Sequence, residues 1–277
     1  MKIHAPLAAE PIAQLGPITI TNSMLTSVLV IVLLALLAWL GTRKMKLIPG
    51  RYQSLLEMIV EFLLDLAEDT AGKRVGRKIF PLVATFFIFI LAANWIGLLP
   101  GFGSSITVAA LESGGHGAGE ALRVPLFRAA NADLNMTAAM ALLSITVVQI
   151  SGLLVNGVKG YLKHLTSPAM LTPVHIISEF SHIISLAARL FGNIFGGEVA
   201  LAVVLGLSAG LLAPIALYGL EIILTFVQAL IFSTLTLMFT LVAIESHHEE
   251  GELGEEGVEA VEDVRKAEHG AASSAAA

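Results

Sequence analysis

The chain has 277 residues, 56% of them hydrophobic and 14% charged, with a formal net charge of −6 and a mean hydropathy of +0.82. Soluble domains carry about 25% charged residues, so this composition belongs to a polytopic membrane protein and excludes soluble, disordered and disulfide-stapled classes. Cysteine is absent, which removes thiol nucleophiles and Cys-based metal sites; ten acidic and two basic residues fall in 245–277, a net of −8 against +2 for the rest, so no basic face for nucleic acid remains.

The first crossing is predicted within an uncharged stretch between Glu10 and Arg43, centred on the apolar run Met24–Leu40. With its flanks it supplies the ~20 residues that a crossing needs. The basic cluster Arg43, Lys44 and Lys46 follows the run, whereas a signal peptide carries its positive charge before it. A permanent helix with its N-terminus outside is expected.

Arg51–Thr70 is helical but different in kind. Glu57, Glu61 and Asp65 recur every four residues and share one face, while Leu55, Leu56, Ile59, Phe62, Leu63 and Leu66 fill much of the remainder. Three carboxylates at the bilayer centre would each cost roughly 2.5–3.5 kcal/mol, so an amphipathic helix on the cytoplasmic surface is predicted. Ile79–Leu99 is the second crossing, stopped by Pro100, which lacks a backbone donor. Residues 101–133 form a Gly-rich loop with Arg123 and Arg128 as its basic residues. Met136–Val155 is the third crossing. Pro173–Leu207 and Ala213–Ile244 are two further long segments, expected to tilt or kink, divided at Ser208-Ala209-Gly210.

The predicted fold is therefore all-α: about five membrane-crossing helices, the last two long and tilted, plus one amphipathic surface helix. Residues 1–245 form the membrane-embedded domain and 246–277 an acidic, disordered cytoplasmic tail. Eight basic residues in 43–78 and two in 156–172 place those segments in the cytoplasm, so five crossings put the N-terminus outside and the C-terminus inside.

Arg189 is the basic residue that stands inside a span, ~24 Å along a helix starting at Pro173. A guanidinium stays protonated, so this is a fixed charge that must face water, an anion or carbonyls. A structural partner among the chain's own carboxylates is the plain alternative. At about 100° per residue, His175, Ser178, His182, Ser185, Arg189, Asn193 and Gly196 lie within an arc of about 80°, opposite a largely Ile/Leu surface. A polar stripe on an apolar helix marks a water- or protein-facing surface. Interhelical Ser/Asn bonding would explain Ser178 and Ser185 but not the arginine. Gly192, Gly196 and Gly197 would admit another helix closely. Glu198 projects away from Arg189, and Tyr218, Glu221, Thr225 and Gln228 form a second stripe on the last helix. Both acids suit an ion-accessible cavity near the outer end. Asn94 and Gln149 are expected to be structural. Glu179 lies about one turn from each of His175 and His182, which makes a metal site conceivable; a wet inner vestibule accounts for the three without a metal, and no cofactor is expected.

At these residues the sequence resembles the a subunit of bacterial F-type rotary ATP synthases. The resemblance rests on Ser185-Leu-Ala-Ala-Arg189-Leu-Phe-Gly-Asn193-Ile-Phe-Gly-Gly-Glu198, with Asn94-Trp-Ile-Gly-Leu-Leu-Pro100, Ala132-Asp-Leu-Asn-Met-Thr137, Pro173-Val174 and Gln228-Ala-Leu-Ile-Phe232 in matching order, and covers roughly 20–246. The 101–131 loop and the tail fall outside it. The resemblance implies a non-catalytic stator subunit in the bacterial inner membrane that carries protons or sodium ions. Its implied partners are the ring of c subunits, the peripheral-stalk b subunits, the rest of the complex and the bilayer. Arg189 would face the ring, with Asn193 and Gln228 beside it. Glu198 and Glu221 would line the outer half-channel; the family often has one acid and one histidine there, so two acids are a departure. Ser178, Ser185 and His175 would line the inner half-channel; His182, by its place on the stripe rather than by the resemblance, could relay protons with His175. A secondary transporter acting alone is the main competing class, but no internal repeat accompanies the single mid-span cation. A purely structural scaffold is the third.

Overall fold

The computed structural model describes residues 9–15, 18–43, 45–46, 50–99, 107–109, 123–166, 172–207 and 212–245. The acidic tail and most of the Gly-rich loop lie outside the described residues, so the expectations for them are not addressed by this structure. Among the described residues, five helices are long and apolar enough to cross a membrane. They are α1 (Asn22–Thr42), α2 (Arg51–Leu98), α3 (Leu134–Thr166), α4 (Thr172–Leu207) and α5 (Leu212–Glu245).

Each helix begins or breaks for a local reason. Thr21, extended at φ −99° and ψ 162°, accepts from the Met24 amide and caps α1. Gly72 takes φ +73° and ψ 157° and divides α2 into two arms, Arg51–Ala71 and Lys73–Leu98. The first arm covers the carboxylate-bearing segment for which a separate surface helix is expected. The second begins six residues before the expected start, because the basic turn Lys73–Lys78 continues the helix outward. Gly157 breaks α3 in the same way at φ +69°, next to the end of its apolar run. Only glycine adopts that backbone without strain. Two small antiparallel hairpins were not expected from the sequence: β1 (Pro11–Leu15) with β2 (Ile18–Thr21), and β3 (Thr107–Ala109) with β4 (Arg123–Pro125). Both are strands of three to five residues, too short to leave a period-2 signal.

The two arms of α2 fold back on each other across Gly72. Arg77 Nε donates to Glu68 Oε1 at 2.5 Å across the break, and Gly76 lies against the Ala67 backbone. A Cβ on Gly76 would come 2.5 Å from the Ala67 carbonyl oxygen and 3.0 Å from Glu68 Cα. Backbone cannot yield as a side chain does, so Gly76→Ala is expected to destabilise the bundle by about 1–3 kcal/mol. Gly50→Ala, with nothing within 4 Å of the added carbon, should be neutral. Thermal melting of the detergent-solubilised complex checks the pair; equal melting temperatures for the two variants would refute the close-approach account.

Helix α5 is central and packs on α2, α3 and α4, while α1 packs on α2 at the edge. The core joins Phe86, Phe87 and Ile90 of α2, Met140 and Ile145 of α3, Leu186, Leu190 and Ile194 of α4, and Phe232 of α5. Phe86 and Phe232 meet at 5.4 Å between ring centroids. The buried side of α5 is nonetheless strongly polar: Glu221, Thr225, Gln228, Ser233, Thr236 and Thr240 are all buried. Its exposed side carries Ile222, Ile223, Leu224 and Val227. In lipid the apolar surface costs nothing outside, and polar groups find partners inside. Ser144 and Thr236 share a hydrogen bond at 2.8 Å, and the Ser233, Thr236 and Thr240 hydroxyls donate to carbonyls four residues back.

Candidate functional site

Helix α4 presents three longitudinal zones. Its buried face carries Leu186, Leu190, Ile194 and Leu201 toward the bundle. Along one edge runs the polar stripe: Ser178, Ser185, Arg189 and Asn193 are exposed, and His182 is half-buried. The His175 side chain lies outside the described residues. Beyond the opposite edge stands Glu198, about 180° around the helix from Arg189.

Arg189 sits about 26 Å from either end of α4 by helical rise. Among the described residues it makes no hydrogen bond or ion pair; the ion pairs formed there are Arg77–Glu68 and Arg128–Glu198. An arginine held by Glu198 or Glu221 of its own chain is therefore not what the structure contains. Gly192 and Gly196 share its open side, and a Cβ on either would meet nothing within 4 Å. Packing among the described residues places no demand for small residues there.

Asn193, at the core side of the stripe, reaches across to α5. Its Nδ2 donates to Gln228 Oε1 at 2.8 Å, so these two expected site residues come together, and Gln228 is 2% exposed. One turn nearer the Leu207 end, Gly197 faces Glu221. A Cβ on Gly197 would overlap the Glu221 carboxylate, so the absent side chain is what lets a buried acid lie against α4. Toward the Thr172 end, His182 stacks on Phe239 at 4.2 Å between centroids, and Glu179 has a buried Oε2 with no hydrogen-bond partner among the described residues. Ser178 and Ser185 remain on the open face. Among the described residues no three His, Asp or Glu side chains gather into a metal site.

One member of this site leaves no mark in the sequence beyond its charge. Arg128 reads there only as a basic residue of the Gly-rich loop. It is buried, and its Nε donates to Glu198 Oε2 at 3.2 Å, with the guanidinium carbon 5.9 Å from the Phe195 ring centroid. The short helical turn Ala130–Ala132 that follows it packs against α1, α2, α3 and α4. That turn is fixed by polar contacts: Arg128 N donates to Thr26 Oγ1 at 3.3 Å, Asn131 Nδ2 to Asn94 Oδ1 at 2.6 Å, and Ser23 Oγ to Asp133 Oδ2 at 3.0 Å. Asn94 is structural in the expected sense, as the socket for this turn. No local pattern marks Arg128, since an arginine in a Gly-rich loop is ordinarily solvated.

From the Ala130–Ala132 end, then, three features follow in order across α4: the Arg128–Glu198 pair, the Gly197–Glu221 contact, and the Asn193–Gln228 bond beside Arg189. Comparison with known proteins gives the family. The family model described as ATP synthase A chain matches residues 24–240. The chain is 37% identical over 233 residues to ATP synthase subunit a 1 of Hahella chejuensis, covering 84% of this chain and 88% of that one. It is 36% identical over 238 residues to ATP synthase subunit a 2 of Pelobacter propionicus, covering 86% and 92%. It is 35% identical over 237 residues to ATP synthase subunit a of Moorella thermoacetica, covering 85% and 96%. A family match over most of the sequence, on a five-helix apolar scaffold, makes this chain a member of the ATP synthase a-subunit family, a membrane-sector subunit with an ion-translocating role.

Proposed function

We propose that the chain is the stator of a rotary motor, with two offset half-channels that meet at Arg189, facing a ring of c subunits. One observation carries this reading: a permanently charged side chain lies mid-span on an exposed polar stripe with no counter-ion among the described residues. A charge in that position needs a partner from outside the chain. Gly192 and Gly196, small without need inside this chain, support a second helix surface lying close along the same face.

The mechanism follows from the cost of burying charge. A ring carboxylate in lipid must be neutral, because ionising it there is expensive. Opposite Arg189 it ionises, since the guanidinium compensates it. In this reading the Ala130–Ala132 end faces outside, because the basic segments 43–78 and 156–172 flank the other end. An ion enters past Glu198 and Glu221, neutralises a ring carboxylate, and that site rotates into lipid. After nearly a full turn it meets the inner path along Ser185, Ser178, His182 and His175, and releases the ion. Arg189 opposes direct leakage, because a cation crossing between the two paths meets a fixed positive charge. Asn193 and Gln228, bonded to each other, hold the polar surface beside it. Nothing covalent happens in this chain; ATP is made elsewhere in the complex, to which the b subunits of the peripheral stalk would tether it.

The test is ATP-driven ion uptake into inverted vesicles carrying the whole complex, with and without sodium. Uptake that depends on the ring and on Arg189 supports the stator. Uptake by this chain alone, reconstituted without a ring, would favour a self-contained transporter.

A further inference from the structure

The Arg128–Glu198 pair has features that packing alone does not require. The Arg128 side chain is 4% exposed while that of Glu198 is 41% exposed. One end of the pair is therefore rooted in the protein and the other open. Three elements root it: the Phe195 ring lies near the guanidinium, Thr26 of α1 accepts the Arg128 amide, and the following turn is bound through Asn131 to Asn94 of α2. Arg128 Nε holds one carboxylate oxygen, Oε2, and leaves the remainder of an acid that is two-fifths exposed. Among the described residues, the other charged or titratable groups at this end include Glu221 and Tyr218 on α5, Asp133 at the start of α3 and Glu10 beside Asn22 of α1; Asp133 already accepts from Ser23 and the Asn135 amide. Arg189 is nine residues away along α4, on the opposite side of the helix.

We propose that Arg128 is a positioning residue of the outer ion path: a cation delivered by the extramembrane loop that fixes the Glu198 carboxylate at the mouth of the path. This rests on the stator reading above. A glutamate on a membrane helix has three rotatable bonds and would otherwise sample orientations toward lipid or solvent. A guanidinium is suited to the task because its planar fork is always charged and holds a carboxylate in direction as well as distance. The long loop thereby has a mechanical role, since it carries the residue that orients the acid.

The experiment uses the whole complex in inverted vesicles, with ATP-driven ion uptake expressed per assembled complex. Arg128→Gln should lower uptake about tenfold, as expected for loss of a charged hydrogen bond, and Arg128→Lys should recover it to within about threefold of wild type. Glu198→Asp keeps an acid but withdraws it by one methylene from the contact. In that background Arg128→Gln should add less than about twofold, because the two residues act as one unit. Equal falls from Arg128→Gln in both backgrounds would overturn the proposal. So would a variant that reduces only the amount of complex and leaves uptake per complex at the wild-type level. If Arg128→Gln yields no complex, Arg128→Lys serves in its place: its smaller fall must vanish beside Glu198→Asp, and a fall that persists there overturns the proposal. An Arg189→Ala arm separates the two levels. Normal uptake in Arg189→Ala refutes the stator itself, whereas loss there with wild-type uptake in Arg128→Gln refutes only the positioning role.

Discussion

Replacing Arg189 with alanine is expected to abolish ATP-driven ion uptake, by at least about a hundredfold, in a complex that still assembles. Assembly is spared because the side chain is exposed and makes no hydrogen bond or ion pair among the described residues, so its truncation opens no cavity and strands no partner. The functional loss follows from electrostatics. Two unit charges 4 Å apart at an effective dielectric of 20 attract by about 4 kcal/mol. At 1.36 kcal/mol per tenfold, that is on the order of a thousandfold in the ionised population of a ring acid passing the site. On the proposed stator reading, without the guanidinium the ring acid stays neutral, cannot release its ion to the inner path, and the ring stalls. Arg189→Lys should fall between the two, since it keeps the charge but loses the planar fork and is more strongly hydrated. Fluorescence quenching of a pH-sensitive dye in inverted vesicles reports proton uptake, radiolabelled sodium reports sodium uptake, and the amount of complex is read from the purified enzyme. Unimpaired uptake with alanine would show that the open-face charge has no part in transport, and a scaffold would then be the better description.

What the sequence made legible depended on how far each signal travels along the chain. The five crossings were readable because apolar runs of twenty or more residues are governed by the bilayer alone. The edges of α1, α4 and α5 fall within two residues of expectation for that reason. The arginine stripe was readable because helical periodicity is a local rule, and Ser178, Ser185, Arg189 and Asn193 do share an exposed face. The resemblance placed Asn193 and Gln228 beside Arg189, but the bond between them, across 35 residues, was not legible, since no periodicity relates residues on two helices. Arg128 was not legible at all. Its partner is 70 residues away, and its burial depends on a three-residue turn wedged among four helices. Nothing in the composition of a Gly-rich loop distinguishes a buried arginine from a solvated one. The buried polar side of α5 was half legible: Tyr218, Glu221, Thr225 and Gln228 read as a stripe, but which way the stripe faced required the neighbouring helices.

Gly197 offers the second large effect, and it tests whether the buried acid on α5 has to lie where it does. A Cβ at this position would overlap the Glu221 carboxylate, and Glu221 is 6% exposed, so the acid would have to leave its buried place to make room. In Gly197→Ala either the carboxylate rotates out of its place or α5 moves away from α4. Overpacking of this kind costs about 1–3 kcal/mol, which is roughly tenfold to a hundredfold in the population of correctly placed carboxylate. ATP-driven uptake should fall by that factor. The steric cause has a distinct signature: in a Glu221→Ala background the added methyl meets no carboxylate, so Gly197→Ala should bring no further loss. Gly206→Ala, on the same helix with nothing within 4 Å of the new carbon, controls for helix propensity and should leave uptake unchanged. If Gly197→Ala were equally harmful with and without Glu221, the glycine would be serving the ring surface or the helix itself, and the contact between α4 and α5 would lose its place in the outer path. Loss confined to the background that retains the acid would instead tie ion entry to a single missing side chain, since the carboxylate can occupy the helix interface only because α4 leaves a gap there.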